Sequence, residues 1–277
     1  MSIEIRRDIP YNSKEDDIFR AFDFYYLPTE TPLPLICFVH GGAWRSEDKA
    51  DHDALARLLV SRTGFPVVVP NYRLTKDSDG SNAIRHPIHS QDILEFFTFL
   101  MSSWDGLGCT VDRSKIYLIG HSCSAHMLAS IFLDSSAATP VLTPPPEVIN
   151  AVQAIVLSEG IYDIDLLLSR FPKYREWFIA PAFGDKPSYA DFSITRLPLR
   201  KTEDDIRWLV IHSKGDTLVD LTQSDEMYKH LLRLYTGRAQ PVVSKVDDLV
   251  EEHDDVLRSE TYLKIVSEFI VQDVPKA

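Results

Sequence analysis

Two glycine-containing motifs carry residues whose types could do chemistry. Gly41 and Gly42 follow one strongly apolar run, and Ser122 follows another within Gly-His-Ser-Cys-Ser. A serine hydroxyl attacks a carbonyl carbon when a neighbouring base takes its proton, and the oxyanion that forms must be stabilised. Glycines allow backbone N–H groups to approach such an oxygen closely. The motifs therefore predict a serine hydrolase site, with the backbone N–H groups of Cys123 and of Gly41 or Gly42 as its oxyanion hole.

An acid and a base complete this pattern further along the chain. Asp216 follows the apolar run that ends at Ser213, and His253 follows the last apolar run. The chain order serine, acid, histidine is that of the α/β-hydrolases. We therefore predict Ser122 as the nucleophile, His253 as the base and Asp216 as the carboxylate that orients the imidazole.

Each of these residues taken alone also has an ordinary structural explanation. Asp216 in Lys-Gly-Asp is a common turn residue, and His253 stands among four acidic residues, as solvated surface histidines often do. Glu159 and Asp163 follow the preceding apolar run and compete with Asp216 for the role of the acid. The occurrence of all the motifs at expected strand ends and in the expected order favours the site, and placement after the next strand favours Asp216.

Elements that would position this site can be read from the alternation of apolar runs with helix-like segments, which predicts an α/β fold with a mostly parallel sheet flanked by helices. Strands are predicted at 33–39, 65–71, 115–120, 151–157, 207–213 and 241–246, and helices near 50–62, 87–104, 123–134, 221–235 and 254–271. We expect one domain over 1–277, with a small aromatic-rich cap at about 159–198. Trp44 and Trp177 are expected to line an apolar substrate pocket.

Composition excludes several classes of partner. The formal charge of −12 disfavours nucleic acid and anionic membranes, and no apolar stretch approaches the roughly 20 residues of a membrane span. The N-terminal residues lack the pattern of a secretory signal, and the three cysteines suit a reducing, cytoplasmic setting. His86 and His89 have no evident third metal ligand and are expected to lie on the surface. We expect a small-molecule substrate and neither metal nor cofactor.

From about residue 33 to about residue 270 the chain closely resembles the fungal kynurenine formamidases (arylformamidases) of the α/β-hydrolase superfamily. The resemblance rests on His40-Gly-Gly-Ala-Trp44, Asn71-Tyr-Arg-Leu74, Gly120-His-Ser122, Glu159-Gly-Ile-Tyr-Asp163, His212-Ser-x-x-Asp216 and Asp247-Asp-Leu249 leading to His253-x-Asp-Val256. It implies hydrolysis of N-formyl-L-kynurenine to L-kynurenine and formate, in tryptophan catabolism and NAD biosynthesis. It also implies Ser122, Asp216 and His253 as the triad, and it suggests a homodimer.

One residue departs from the family pattern. Related sequences usually have glycine two residues after the nucleophile, and this chain has Ser124. A side chain at that position must fit where helix and strand pack closely. Two other functions therefore remain open: a general small-acyl carboxylesterase using the same residues, and a catalytically silent binding protein with a hydrolase fold.

Overall fold

The computed structural model describes residues 2–12, 17–76, 83–102, 108–200, 206–237 and 243–272. Its centre is an eight-stranded sheet in the order β1-β2-β4-β3-β5-β6-β7-β8. The strands are β1 (Glu4–Pro10), β2 (Ala21–Tyr26), β3 (Thr29–Val39), β4 (Val67–Pro70), β5 (Cys109–His121), β6 (Val152–Ser158), β7 (Arg207–Ser213) and β8 (Val243–Leu249). β3 to β8 pair in parallel, so the predicted mostly parallel sheet is confirmed.

The antiparallel strands β1 and β2 were not predicted from the sequence. β1 is a charged edge strand, and charges on an edge discourage pairing with another chain but hide the apolar alternation that identifies a strand. β2 is buried along its whole length and carries Asp23 in the core. Arg7 Nη1 and Lys49 Nζ lie 2.7 and 3.0 Å from the Asp23 carboxylate, which compensates the burial of this charge.

Helices cover both faces of the sheet. They are α1 (Asp53–Thr63), α2 (Ile88–Ser102), α3 (Cys123–Phe132), α4 (Pro146–Ala151), α5 (Ile164–Arg170), α6 (Ala180–Phe183), α7 (Leu221–Leu234) and α8 (Glu260–Val271). Successive side chains of β3 point to opposite faces: Leu35 and Cys37 pack in one apolar core with α2 and α3, and Ile36 and Phe38 pack in a second core with α1 and α8. Both faces of the central strands are therefore buried, which explains their continuous apolar runs.

The last helix begins later than predicted. A 3₁₀ turn occupies Asp255–Arg258, and α8 starts at Glu260 after Ser259, whose hydroxyl accepts a hydrogen bond from the Tyr262 N–H. His253 therefore lies in the loop between β8 and this turn. A loop position leaves its imidazole oriented by specific contacts instead of by a helix.

The segment expected to form a cap lies between β6 and β7. It contains α5, a π-helical turn at Arg175–Ile179, α6 and two short 3₁₀ turns. Its role as a cap within one domain stays a prediction. Among the described residues, no helix is long and apolar enough to cross a membrane.

Candidate active site

Ser122 occupies a strained turn between β5 and α3. Its backbone has φ 56° and ψ −121°, a conformation that residues with a side chain rarely adopt. The turn is held from the neighbouring strand, because the Ser122 N–H donates to the Ser158 carbonyl at 2.8 Å. Gly120 is required below it, since a Cβ there would lie 2.9 Å from the backbone carbonyl oxygen of Ser124. This geometry lifts one serine side chain above the sheet edge.

Ser124 fits this turn through hydrogen bonds that glycine could not make. Its side chain is fully buried, and its hydroxyl accepts from the His121 N–H at 2.7 Å. The same oxygen lies 2.6 Å from the carbonyl of Val39 and 2.9 Å from that of His121, to either of which it donates. The departure from the family pattern thus ties the turn at Ser122 to the end of β3.

Asp216 and His253 form a short contact beside the turn. His253 Nδ1 lies 2.6 Å from Asp216 Oδ2, and Asp216 Oδ1 accepts from the N–H groups of Leu218 and Val219 at 2.8 and 2.9 Å. Burial alone would raise the pKa of Asp216, but the hydrogen bond and charge of His253 outweigh it and lower that pKa to about 2. An ionised acceptor fixes the His253 proton on Nδ1 and leaves Nε2 for proton transfer.

A cavity opens beside Ser122 and His253. Gly42, Ala43, Ile161, Tyr174, Trp177, Phe178, Leu218 and Val219 line it, with the polar residues Arg45, Ser46, Glu47 and Asp254. A mostly apolar, aromatic lining with a few polar groups is typical of small-molecule sites. Sequence reasoning missed most of these residues, because they lie in irregular loops; the aromatic composition of 159–198 was the available signal.

Both glycines expected to supply the oxyanion hole lie near Ser122. A Cβ on Gly41 would be 3.2 Å from Ser122 Cβ, and Gly42 has φ 84° and would collide with the Ser46 carbonyl if it carried a side chain. Cys123 is the first residue of α3, so its N–H has no carbonyl partner within the helix. The oxyanion hole formed by these N–H groups stays a prediction.

The Cys123 thiol faces away from the cavity. Its Sγ accepts a hydrogen bond from the Trp44 N–H at 3.3 Å and lies 3.7 Å from the Tyr72 hydroxyl. Burial raises the pKa of this thiol to about 12. The side chain of Cys123 therefore packs in the core.

The two tryptophans expected to line the pocket are placed differently. Trp177 is half exposed at the cavity rim, and its carbonyl accepts from the guanidinium of Arg45. Trp44 does not line the cavity: it is fully buried and packs edge-on against Phe183 and His126, with centroids 5.0 and 5.5 Å away. The indole of Trp44 packs in the core and not against the cavity, so the expectation for Trp44 was wrong.

The competing acids have other contacts. Asp163 accepts from the Leu166 N–H at 3.0 Å and caps α5. Glu159 is fully buried below Asp216, and its Oε1 accepts from the Ser213 N–H at 2.8 Å. The structure brings Asp216, and neither of the other two, against His253.

In the described ranges, three groups of side chains have metal-ligand atoms within 4.8 Å of one another: His40, Glu47 and His52; His121, His253 and Asp254; and Glu159, His212 and Asp216. Their members also make ordinary hydrogen bonds, such as that between His52 Nε2 and Glu47 at 3.0 Å.

His86 and His89 were expected on the surface, but the structure places both in the interior. His86 stacks on Phe183, and buried His89 lies 2.9 Å from the Thr75 hydroxyl.

Residues 22–231 match the family model BD-FAE. The chain belongs to the BD-FAE family. Among curated relatives, this BD-FAE chain is 26% identical to a kynurenine formamidase of Meyerozyma guilliermondii, over 69% of each chain. A kynurenine formamidase of Scheffersomyces stipitis is 21% identical over 80% of this chain and 85% of its own. The similarity expected from the motifs is confirmed.

Other relatives of this BD-FAE chain are esterases. A probable isoprenylcysteine alpha-carbonyl methylesterase of Oryza sativa is 25% identical over 85% of this chain and 60% of its own. Esterase B from Lactobacillus rhamnosis superposes with a TM-score of 0.72 at 16% identity, over 98% of this chain and 88% of that one. A Pyrobaculum calidifontis esterase gives 0.67 at 19%, over 98% and 84%. The structural matches show the α/β-hydrolase fold, and the curated relatives are hydrolases.

Proposed function

We propose that this chain is a kynurenine formamidase that hydrolyses N-formyl-L-kynurenine to L-kynurenine and formate. The observation that carries the proposal is the convergence of Ser122 and the His253–Asp216 pair on one aromatic-lined cavity. The kynurenine formamidases among the relatives support the substrate. The pathway would be tryptophan catabolism through kynurenine, which supplies NAD biosynthesis.

In this mechanism the Ser122 Oγ attacks the formyl carbon while His253 Nε2 takes the hydroxyl proton. The oxyanion binds the N–H groups of Cys123 and of Gly41 or Gly42, and each such donor is worth about 3–4 kcal/mol in a preorganised site. Collapse of the intermediate breaks the C–N bond, and His253 returns the proton to the departing arylamine. Water, deprotonated by the same His253, then releases formate from the formyl-serine and restores the hydroxyl.

The cavity wall suits the rest of this substrate. The phenol of Tyr174 and the rings of Trp177 and Phe178 offer a surface on which an aromatic amine can stack. A formyl group is the smallest acyl group, so the reacting carbon can enter the narrow space between Ser122 and the glycines. The chemistry requires no metal or cofactor; we propose a cytoplasmic enzyme, assembled as a homodimer.

Esterase relatives favour one second candidate, a general small-acyl carboxylesterase using the same residues. An ester needs less leaving-group protonation than an amide, so esterase activity alone would leave the proton-returning step untested. The two functions differ in the ratio of formamide to ester turnover.

The deciding experiment measures formate release from N-formyl-L-kynurenine by the wild type and by Ser122→Ala, with p-nitrophenyl acetate assayed in parallel. Ser169→Ala, at an exposed position of α5, is the matched serine control. We expect formamide turnover that disappears in Ser122→Ala and persists in Ser169→Ala. Ester cleavage without formamide cleavage would replace the proposal by the esterase. Silence on both substrates would favour a binding protein.

A further inference from the structure

Glu159 is a buried carboxyl group for which the mechanism above has no use. It follows β6 directly, its side chain is fully buried, and its backbone has φ 51°. A glutamate in this left-handed conformation is strained, and such strain persists only where the surroundings fix it. Its N–H donates to the Ile211 carbonyl at 3.0 Å, which holds the residue between β6 and β7.

Within the part of the chain that the structure describes, only one of the two Glu159 oxygens accepts a hydrogen bond. Oε1 accepts from the Ser213 N–H at 2.8 Å. Oε2 is buried and, among the described residues, has no hydrogen-bond partner as a carboxylate oxygen. Acceptor atoms of Glu159, Asp216 and His212 lie within 4.8 Å of one another. Two carboxyl groups thus share one dry site.

His212 does not neutralise the second carboxylate. Its Nε2 donates to the Val219 carbonyl at 3.1 Å, and its Nδ1 lies 2.8 Å from the Ser224 hydroxyl, from which a neutral ring accepts. Burial lowers the pKa of His212. Its Nδ1 is 3.6 Å from Glu159 Oε2, close enough to contribute a cation if it were protonated, but both nitrogens already have partners that suit the neutral ring.

Asp216 is better placed than Glu159 to hold a negative charge. It accepts from two backbone N–H groups and from His253, whereas Glu159 accepts from one backbone N–H. Two carboxylates in one buried site cannot both ionise without a large penalty, so the less solvated one keeps a proton. A proton on Glu159 Oε2 would also give that oxygen the partner it lacks.

We propose that Glu159 is a neutral carboxylic acid whose Oε2 hydroxyl donates a hydrogen bond to Asp216, and that it thereby positions Asp216 against His253. The assignment rests on the proposed triad. Glu159 acts through Asp216 and touches no substrate, so it is a positioning residue. From the sequence, Glu159 and Asp216 are alternative candidates for the acid. In the structure, Glu159 lies where it can hold Asp216 in position.

The electrostatic surroundings agree with this protonation state. Burial, followed by the hydrogen bond and charge of Asp216, raises the pKa of Glu159 to about 10. The titratable groups around it are His212 in β7, Asp216 after β7, Glu251 after β8, Tyr162 before α5 and Tyr262 in α8, and His253 contacts Asp216. This set of described residues contains no lysine or arginine. Its readiest cation is His253, when that ring is protonated, and Asp216 lies against it.

The first test measures protonation through stability and needs no substrate. A carboxylic acid with a raised pKa in the folded state binds a proton that it releases on unfolding, so its contribution to stability falls as pH rises between the unfolded and folded pKa values. Glu159→Gln keeps the donor and the acceptor but cannot ionise. We expect the ratio of the unfolding constants of wild type and Glu159→Gln to rise about tenfold per pH unit between about pH 6 and 9.

The unfolding constants are measured by urea unfolding at each pH. Glu226→Gln is the matched control, because Glu226 is 40% exposed on α7 and pairs with Lys229. Its ratio to wild type should stay flat with pH. A flat ratio for Glu159→Gln as well would show that Glu159 is ionised in the folded protein, and the proposal would be wrong. This result holds whatever substrate the protein uses, so it is separate from failure of the proposed formamidase activity.

The second test measures positioning. Glu159→Gln should keep kcat within about threefold of wild type and leave the acidic limb of the pH profile in place, because an amide N–H replaces the hydroxyl donor. Glu159→Leu removes the donor. We expect kcat to fall about 10- to 100-fold with little change in KM. We also expect the acidic limb of the pH profile to move to higher pH, because Asp216 becomes more basic. Equal impairment of both variants, or an acidic limb that does not move in Glu159→Leu, would overturn the positioning role.

Discussion

Replacement of Asp216 by asparagine separates the charge of this residue from its structural contacts. The side-chain oxygen of the introduced amide can still accept from the N–H groups of Leu218 and Val219, which bond Asp216 Oδ1 at 2.8 and 2.9 Å. The amide NH₂ group would then face His253 Nδ1, which lies 2.6 Å from the present Oδ2. Two donors cannot bond each other, so the imidazole must carry its proton on Nε2. That tautomer cannot accept the proton of Ser122.

The expected loss is large because it affects every turnover. Forcing the wrong tautomer and losing the carboxylate that stabilises the imidazolium lowers kcat by about 10³- to 10⁴-fold, which corresponds to about 4–5.5 kcal/mol of transition-state stabilisation.

The charge of Asp216 also contributes to the free energy of unfolding, and this contribution depends on pH. With a folded pKa of about 2 against an ordinary value of 3.8, ionised Asp216 stabilises the fold by about 2 kcal/mol above pH 4, and this is lost as pH falls through about 2.

Initial rates with N-formyl-L-kynurenine and with p-nitrophenyl acetate measure the loss for Asp216→Asn. Asp163→Asn is the matched control, because Asn can keep the cap on the Leu166 N–H that Asp163 now forms at 3.0 Å. We expect a severe loss for the first variant and less than about threefold for the second. A small loss at Asp216 together with a large loss at Asp163 would refute the assignment of the acid.

Three further predictions concern the surroundings of the site. Ser124→Ala leaves the buried His121 N–H and the Val39 carbonyl without the hydroxyl, and we expect urea unfolding to show a loss of about 1–3 kcal/mol; an unchanged midpoint would contradict the role of that hydroxyl. Iodoacetamide should leave Cys123 unlabelled and the enzyme active, since burial raises its thiol pKa to about 12; inactivation by the reagent with modification of Cys123 would count against this. Trp44→Ala should lower the free energy of unfolding by about 3–5 kcal/mol, because the indole is fully buried. Trp177→Ala should raise KM with little change in the unfolding midpoint, because Trp177 lines the cavity. A raised KM without loss of stability in Trp44→Ala would show that Trp44 contacts substrate.

The sequence was sufficient for the elements that present the candidate site. In a parallel sheet all the strands end at one edge, so residues that directly follow apolar runs are brought together however far apart they are in the chain. Ser122 follows β5, Asp216 follows β7 and His253 follows β8, as their positions after apolar runs predicted. These inferences needed only local patterns and strand order.

What depends on packing across the sheet could not be predicted in the same way. Trp44 follows the glycines at a position compatible with either the pocket or the core, and only the space between Phe183 and His126 decides for the core. β1 carries charges on an edge, so it lacks the apolar signal of the central strands. The place of Glu159 below Asp216 depends on the β6–β7 register, which the composition of neither strand specifies.

Two strained residues at neighbouring strand ends explain how this arrangement is maintained. Ser122 follows β5 with φ 56° and Glu159 follows β6 with φ 51°. Each is tied to the next strand, Ser122 by its N–H to the Ser158 carbonyl and Glu159 by its N–H to the Ile211 carbonyl. The Ile161 N–H also donates to the Ser122 carbonyl at 3.4 Å, so the turn at Ser122 and the turn at Glu159 support each other. Because the sheet fixes both turns, strand pairing offsets the cost of their strain and holds Ser122 and Glu159 at adjacent strand ends.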